Sequence, residues 1–220
     1  MDPAFWRERW KNQDIGFHQP EFHALLQKYW SRLDLRPSSP VFVPLCGKSL
    51  DMVWLAQQGH RVIGAELSEL AIDDFFAERG LNPTARTAAH FTVKSAGAYE
   101  LWCGDVFELP REAVTGVAGV YDRAALIALP RPLREQYAEK LKALLPAQAP
   151  VLLITLEYEQ PQMSGPPFSV PRREVRELFA GSYDCAELEC HHVLESHQHF
   201  KQRGLTALEE CVFLLQRTSS

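Results

Sequence analysis

Glu66 stands 19 residues after Gly47, and each follows a short apolar run, Val41–Leu45 before the glycine's turn and Arg61–Ala65 before the acid. An acidic side chain at the end of a second strand is placed to accept hydrogen bonds from both hydroxyls of an adenosine ribose. Each such bond to a charged acceptor is worth roughly 1.5–3 kcal/mol. The competing reading is a surface glutamate that merely ends a strand. The turn before it, PLCGKSLD, holds a single glycine, Gly47. A dinucleotide site needs G-x-G-x-x-G so that backbone can approach a pyrophosphate. Here Pro44 and Leu45 occupy that approach, which argues against NAD, FAD or a nucleoside triphosphate.

A ribose acid without a phosphate-binding loop suits an adenosine cofactor that carries no phosphate, and S-adenosylmethionine is that molecule. Backbone carbonyls of the turn, Leu45 among them, are placed to face its cationic end. Arg123 follows Asp122 at the end of a later apolar run. A guanidinium there pairs either with a ligand carboxylate or with Asp122 or a nearby glutamate. Trp6, Trp10 and Phe17 crowd the N-terminus at helical spacing. They read either as core or as a lid, in which an aromatic face beside a sulfonium is worth about 0.5–2 kcal/mol. Cys46 lies in the first turn without a histidine partner in any known nucleophile signature, so it reads as packing. The tail holds Cys185, Cys190, His191, His192, His197 and His199. Adjacent strand residues point to opposite faces, so His191 and His192 do not share one tetrahedral ion, and no metal is expected. Phe168, in the proline-rich stretch Gly165–Pro171, reads either as part of a linker or as a wall for a flat ring.

Positioning these groups requires an alternating framework. The pattern predicts helices over Pro3–Asn12 and Pro20–Leu33, then a strand over Val41–Leu45. It continues with helix Leu50–Gln58, strand Arg61–Glu66, helix Glu69–Arg79 and strand Ala98–Cys103, the last expected to pair with Phe91–Lys94. Strand Val117–Asp122, helix Pro132–Leu145 and strand Val151–Glu157 follow, then helix Pro171–Ala180 and two strands, Cys185–Glu195 and Leu208–Arg217. This rhythm implies an α/β fold with a mostly parallel sheet, helices on both faces and an antiparallel C-terminal edge. In such sheets ligands bind beyond the carboxyl ends of the strands. That rule selects the PLCGK turn, Glu66, Gly104-Asp105 and Asp122-Arg123.

The chain has 220 residues, 46% of them hydrophobic and 23% charged, which suits one domain with a core. Its formal charge of −5 lacks the broad positive field that nucleic acid or an anionic membrane surface would require. The longest uncharged stretch, Ala143–Leu156, is 14 residues with two prolines, short of a membrane span. The opening MDPAFWRERW has no apolar signal core, and five scattered cysteines suggest no disulfide framework, so a cytoplasmic protein is expected. No large apolar seam is evident, so a monomer is expected.

Four segments carry a resemblance. The run VFVPLCGKSLDMVWLAQQGHRVIGAELSELAIDDFF (Val41–Phe76), the opening W-x-x-R-W-x-N-x-x-x-G-F-H (Trp6–His18), YDRAALIALP (Tyr121–Pro130) and G-P-P-F-x-V-P (Gly165–Pro171) closely resemble the thiopurine S-methyltransferase family. The match runs in order over nearly the whole chain, and its compact form is similar to bacterial rather than animal members. The resemblance implies a class I S-adenosylmethionine-dependent methyltransferase: a Rossmann-like, seven-stranded sheet with the last strand inserted antiparallel. It implies one domain over residues 1–220, with 1–36 as a helical lid. S-adenosylmethionine would be the donor and an aromatic or heterocyclic thiol such as a thiopurine the acceptor, with selenium and tellurium species as further acceptors. By position, Trp10 matches the aromatic cofactor contact, Leu45 the backbone contact and Glu66 the ribose acid. Arg123 matches the arginine near the methionine carboxylate and acceptor, and Phe17 a second aromatic wall. Asp105 and Val106 match the adenine edge, although animal members carry a small polar residue in place of Asp105. The stretch after Glu78, RGLNPTARTAAHFTVKSAGA, matches only loosely. No catalytic base is expected, because acidic heterocyclic thiols bring their own thiolate. The alternative function is a non-catalytic protein that binds adenosine ligands or metalloids.

Overall fold

The computed structural model describes residues 3–16 and 18–218. Two compact units emerge, one running to Tyr121 with residues 144–146, the other comprising Asp122–Ala143 and the chain from Ala147 on.

In the first unit, helices α1 (Pro3–Lys11) and α2 (Ala24–Tyr29) precede strand β1 (Pro40–Pro44). Helix α3 (Asp51–Gln57) leads to β2 (Arg61–Glu66), and α4 (Glu69–Ala77) leads to the strands β3 (Thr84–Ala88), β4 (Phe91–Ala96) and β5 (Tyr99–Cys103). Strand β6 (Gly119–Asp122) follows, its last residue opening the second unit. The order across this unit is β3-β4-β5-β2-β1-β6. Strand β1 pairs in parallel with β2 and β6, and β2 in parallel with β5. Only β4 runs against its neighbours. After their first residues, β1 and β2 are buried without alternation, so both faces of the sheet are covered. Helix α3 packs on β2, and α4 packs on β2 and β5. Ser68 caps α4 by accepting from the N–H of Ala71, and Gly59 ends the turn after α3 at φ +89°, a backbone conformation strained for any residue with a Cβ.

In the second unit, α5 (Ala125–Ala128) and α6 (Arg131–Leu144) precede β7 (Val151–Glu157), α7 (Arg172–Phe179), β8 (Tyr183–His192), α8 (Gln198–Gln202) and β9 (Glu209–Arg217). Strand β9 lies between β7 and β8, antiparallel to both, as the resemblance implied for the last strand. A register shift at Glu187/Glu189 marks a bulge in β8.

Two expectations need correction. Among the described residues the strands number nine rather than seven. The addition is the β3–β4 hairpin on the edge of β5, of which only the Phe91 strand was expected. Thr84–Ala88 is exposed along almost its whole length, so its sequence carries no alternation to read. Cys190 and Cys211 are joined as a disulfide. They face each other across β8 and β9 with Cα atoms 4.0 Å apart, a proximity that a separation of 21 residues does not advertise.

Candidate functional site

The first turn and Glu66 form one hydrogen-bonded structure. The N–H of Cys46 donates to the carbonyl of Ala65 at 3.0 Å, which lays the turn across the end of β2. The N–H of Gly47 donates to Glu66 Oε2 at 2.9 Å, and the N–H of Ser68 donates to Oε1 at 2.8 Å. Glu66 is therefore the closing element of the turn rather than a surface glutamate, and only 6% of it is exposed. Burial raises its pKa, while the N–H groups of Ser68, Gly47 and Leu67 favour the charged form. A carboxylate has about four acceptor positions. The N–H groups of Gly47 and Ser68 fill one on each oxygen and that of Leu67 also engages the carboxylate, which leaves acceptor capacity for a ribose hydroxyl. Leu45 takes φ +45°, a conformation that costs a branched residue about 1–3 kcal/mol and that turns the backbone sharply at this point.

Trp10 is buried, and its ring lies on this turn. A Cβ placed on Gly47 would come within 3.0 Å of Trp10 Cζ2, so only glycine at φ +51° admits the indole so close. Trp10 is core, and it packs on the first turn. Trp6 is half-buried and meets Phe5 edge-on at 5.3 Å. Phe17 lies outside the described residues. Cys46 is buried beside Gly64, whose added Cβ would meet Sγ at 2.7 Å, and burial pushes its thiol well up, as suits a packing residue.

At the end of β5, the N–H of Gly104 donates to the Glu66 carbonyl at 2.9 Å. A side chain on Gly104 would strike the Phe91 ring at 2.4 Å. Asp105 then starts a 3-10 turn over Val106–Glu108 by accepting from the N–H of Phe107 at 3.0 Å, and Val106 is buried. Leu45, Glu66, Asp105 and Val106 therefore lie at the carboxyl ends of β1, β2 and β5, three neighbouring parallel strands. The set fits a phosphate-free adenosine cofactor: it offers an acid with spare acceptor positions, a kinked turn and an indole, without a glycine-rich phosphate loop.

In the second unit, Asp122 does not spend its carboxylate on Arg123. Oδ1 accepts from the N–H groups of Ala125 (3.1 Å) and Leu126 (3.3 Å), and Oδ2 accepts from the Tyr137 hydroxyl at 2.7 Å. Burial pushes Asp122 up to about 6, against the opposing pull of the Tyr137 hydroxyl and the two N–H groups. The turn that carries Arg123 is thereby fixed at its start, and Arg123 itself is half-exposed.

A cleft of about 810 Å³ opens in the same unit beyond the end of β7, with Phe168, Pro130 and Pro171 among its walls. Its lining includes the buried Arg134–Glu174 pair, bidentate at 2.8 and 2.9 Å. Gly165–Pro171 is not a loose linker. The Phe168 N–H donates to the Ile127 carbonyl at 2.7 Å, the Tyr158 hydroxyl to the Pro167 carbonyl at 2.6 Å, and the Val170 N–H to the Leu156 carbonyl at 2.8 Å. Sequence reasoning missed these ties because a proline-rich run shows no periodicity. It also missed Asp51, Tyr121 and Tyr137, buried polar groups whose partners lie 15 to 70 residues away.

Comparison with known proteins agrees with this architecture. The family described as Thiopurine S-methyltransferase (TPMT) matches residues 1–218. A thiopurine S-methyltransferase of Pseudomonas putida is 49% identical over 217 residues, covering 99% of this chain and 100% of the relative. One from Bordetella petrii is 48% identical, covering 99% of each. Among solved structures, the 1,6-didemethyltoxoflavin-N1-methyltransferase of Burkholderia thailandensis, with bound 1,6-didemethyltoxoflavin and S-adenosylhomocysteine, superposes with a TM-score of 0.68 at 16% identity. That match covers 99% of this chain and 87% of the other. A SAM-dependent methyltransferase from Anabaena variabilis gives 0.67 at 15% identity, covering 98% and 95%. The fold is that of the class I methyltransferases, and the chain belongs to the thiopurine S-methyltransferase family.

Proposed function

We propose that this chain is an S-adenosylmethionine-dependent S-methyltransferase acting on aromatic or heterocyclic thiols such as thiopurines. The observation that carries this reading is the turn closed by Glu66, a buried carboxylate with spare acceptor positions beside a phosphate-free first turn. S-adenosylmethionine, when bound, supplies a sulfonium methyl that a thiolate takes by in-line displacement.

The residues bind and align. Glu66 holds the ribose hydroxyls, and the Leu45 carbonyl faces the cationic end of the donor. Trp10 contributes an aromatic surface, with Phe17 as a second one. Asp105 and Val106 border the adenine. Arg123 takes a carboxylate as its ligand, the donor's own or an acceptor's. Phe168 is assigned to the flat ring of the acceptor. Residues 1–36 serve as a lid over the cofactor site, and residues 1–220 work as one methyltransferase domain. Alignment of two reactants supplies roughly 7–11 kcal/mol of barrier reduction, so no side chain is assigned as a base. The protein is read as a cytoplasmic monomer with small-molecule partners. Among the described residues no helix is long and apolar enough to cross a membrane. Selenium and tellurium species are proposed as further acceptors, on the family resemblance alone.

Calorimetry with S-adenosylmethionine and S-adenosylhomocysteine, followed by a methyl-transfer assay with a thiopurine, tests the reading. Saturable binding with turnover is expected. Binding without turnover on any thiol, selenol or tellurium species would favour the non-catalytic alternative.

A further inference from the structure

We propose that Asp51 is a positioning residue for the cofactor site: by holding the backbone N–H of His23 it fixes where the N-terminal segment leaves the core, and so keeps Trp10 on the first turn. The proposal rests on the functional reading above.

Asp51 is the first residue of α3, four residues after Gly47, and is only 2% exposed. A buried carboxylate needs partners for both oxygens. Oδ1 accepts from the His23 N–H at 2.8 Å, across 28 residues of sequence. Oδ2 accepts from the Tyr121 hydroxyl at 3.0 Å, across 70. Its own N–H is held by Ser49 Oγ at 3.1 Å, so the carboxylate is tied to the first turn from behind.

The far side of this network is buried and hydrogen-bonded. The buried Tyr121 ring meets Trp30 edge-on at 6.5 Å. Trp30 Nε1 donates to His60 Nε2 at 3.0 Å, and His60 Nδ1 lies 3.0 Å from the Ser39 carbonyl. Those two contacts together require a neutral His60 with its proton on Nδ1. Past His23 the chain enters this core through Leu25, Leu26 and Trp30, all buried. Before His23 it carries α1, with Trp10 against Gly47. The hydrogen bond from the His23 N–H to Asp51 thus lies at the border between the buried helix α2 and the segment that bears the indole.

A pair of variants isolates that bond. His23 has φ −68°, within the range of proline, and residue 22 is outside any helix. His23→Pro deletes the N–H, while His23→Ala keeps it and controls for loss of the ring. The expected result is that His23→Pro binds S-adenosylmethionine about tenfold more weakly than His23→Ala, the scale of one hydrogen bond to a charged acceptor. Its kcat at saturating cofactor should stay within about twofold of the control, as for an effect on binding alone. Trypsin should cut after Lys11 about tenfold faster in His23→Pro, because local opening of the segment becomes easier.

Equal cleavage in the two variants would overturn the proposal. So would faster cleavage with unchanged cofactor affinity, since the bond would then anchor without positioning. If His23→Pro does not fold, Asp51→Ala and Asp51→Asn are compared by the same measurements. Asparagine keeps an acceptor for the His23 N–H and should restore affinity, and equal loss in both overturns the proposal. Failure of the wild-type protein to bind S-adenosylmethionine at all would overturn the functional reading, and the positioning role with it, whereas the cleavage assay reports on the anchor independently of any ligand.

Discussion

At Glu66 one carboxylate does two jobs, closing the first turn through the N–H groups of Gly47 and Ser68 and keeping acceptor positions open. Glu66→Ala should therefore weaken S-adenosylmethionine binding by more than about tenfold, with the fold retained by circular dichroism. Glu66→Gln should fall between, because an amide turns a donor toward one of the two N–H groups. Arg123→Ala should lower kcat/KM for an anionic acceptor more than for a neutral one, since a guanidinium pairs with carboxylates and other anions. An equal effect on both would assign the guanidinium to the donor or to the protein. Asp122 makes a prediction about pH. Its pKa is raised from 3.8 to about 6, so the folded chain holds the proton more tightly than the unfolded one. The stability it contributes is present at low pH and is lost as pH rises from about 4 to about 6, by roughly 2–3 kcal/mol. Urea midpoints across that window should show this slope in the wild type and a flatter profile in Asp122→Asn.

At the scale of elements, close approach of backbone sets the shape of the rim. Gly64, in the middle of β2, has Leu101 Cδ2 and Cys46 Sγ at 2.6 and 2.7 Å from where a Cβ would stand. Gly64→Ala should lower stability by about 1–3 kcal/mol through overpacking, read as a fall in the unfolding midpoint. It should also disturb the first turn through Cys46, so cofactor affinity should drop with it. Central elements were legible in sequence because their burial leaves a pattern. The strands Arg61–Glu66 and Val151–Glu157 have the bounds that the apolar runs imply. The helix read as Pro20–Leu33 starts only at Ala24, just after His23, whose N–H is held by Asp51, and it gives way to a 3-10 turn at Trp30. Thr84–Ala88 and the short helices Ala125–Ala128 and Gln198–Gln202 were not legible, being exposed or too short to show a period.

For the whole molecule, the activity should depend on the acceptor's own ionisation. With two thiols of different acidity, the pH at which kcat/KM reaches half its plateau should move with the pKa of the thiol, since only the thiolate attacks. A half-point that stays fixed across thiols would point to a titrating group of the protein instead. The sequence by itself determined the α/β rhythm, the exclusion of a phosphate-binding loop and the positions of Leu45, Glu66, Asp105 and Arg123, because local periodicity and turn chemistry depend on near neighbours. Only the tertiary structure decided that Glu66 is buried and closes the turn, that Trp10 lies on Gly47, that Asp51 reaches His23 and Tyr121, and that Cys190 faces Cys211. Each of those joins residues far apart in the chain. A buried polar group must find its partner wherever folding brings one within about 3 Å, and sequence spacing does not encode that distance.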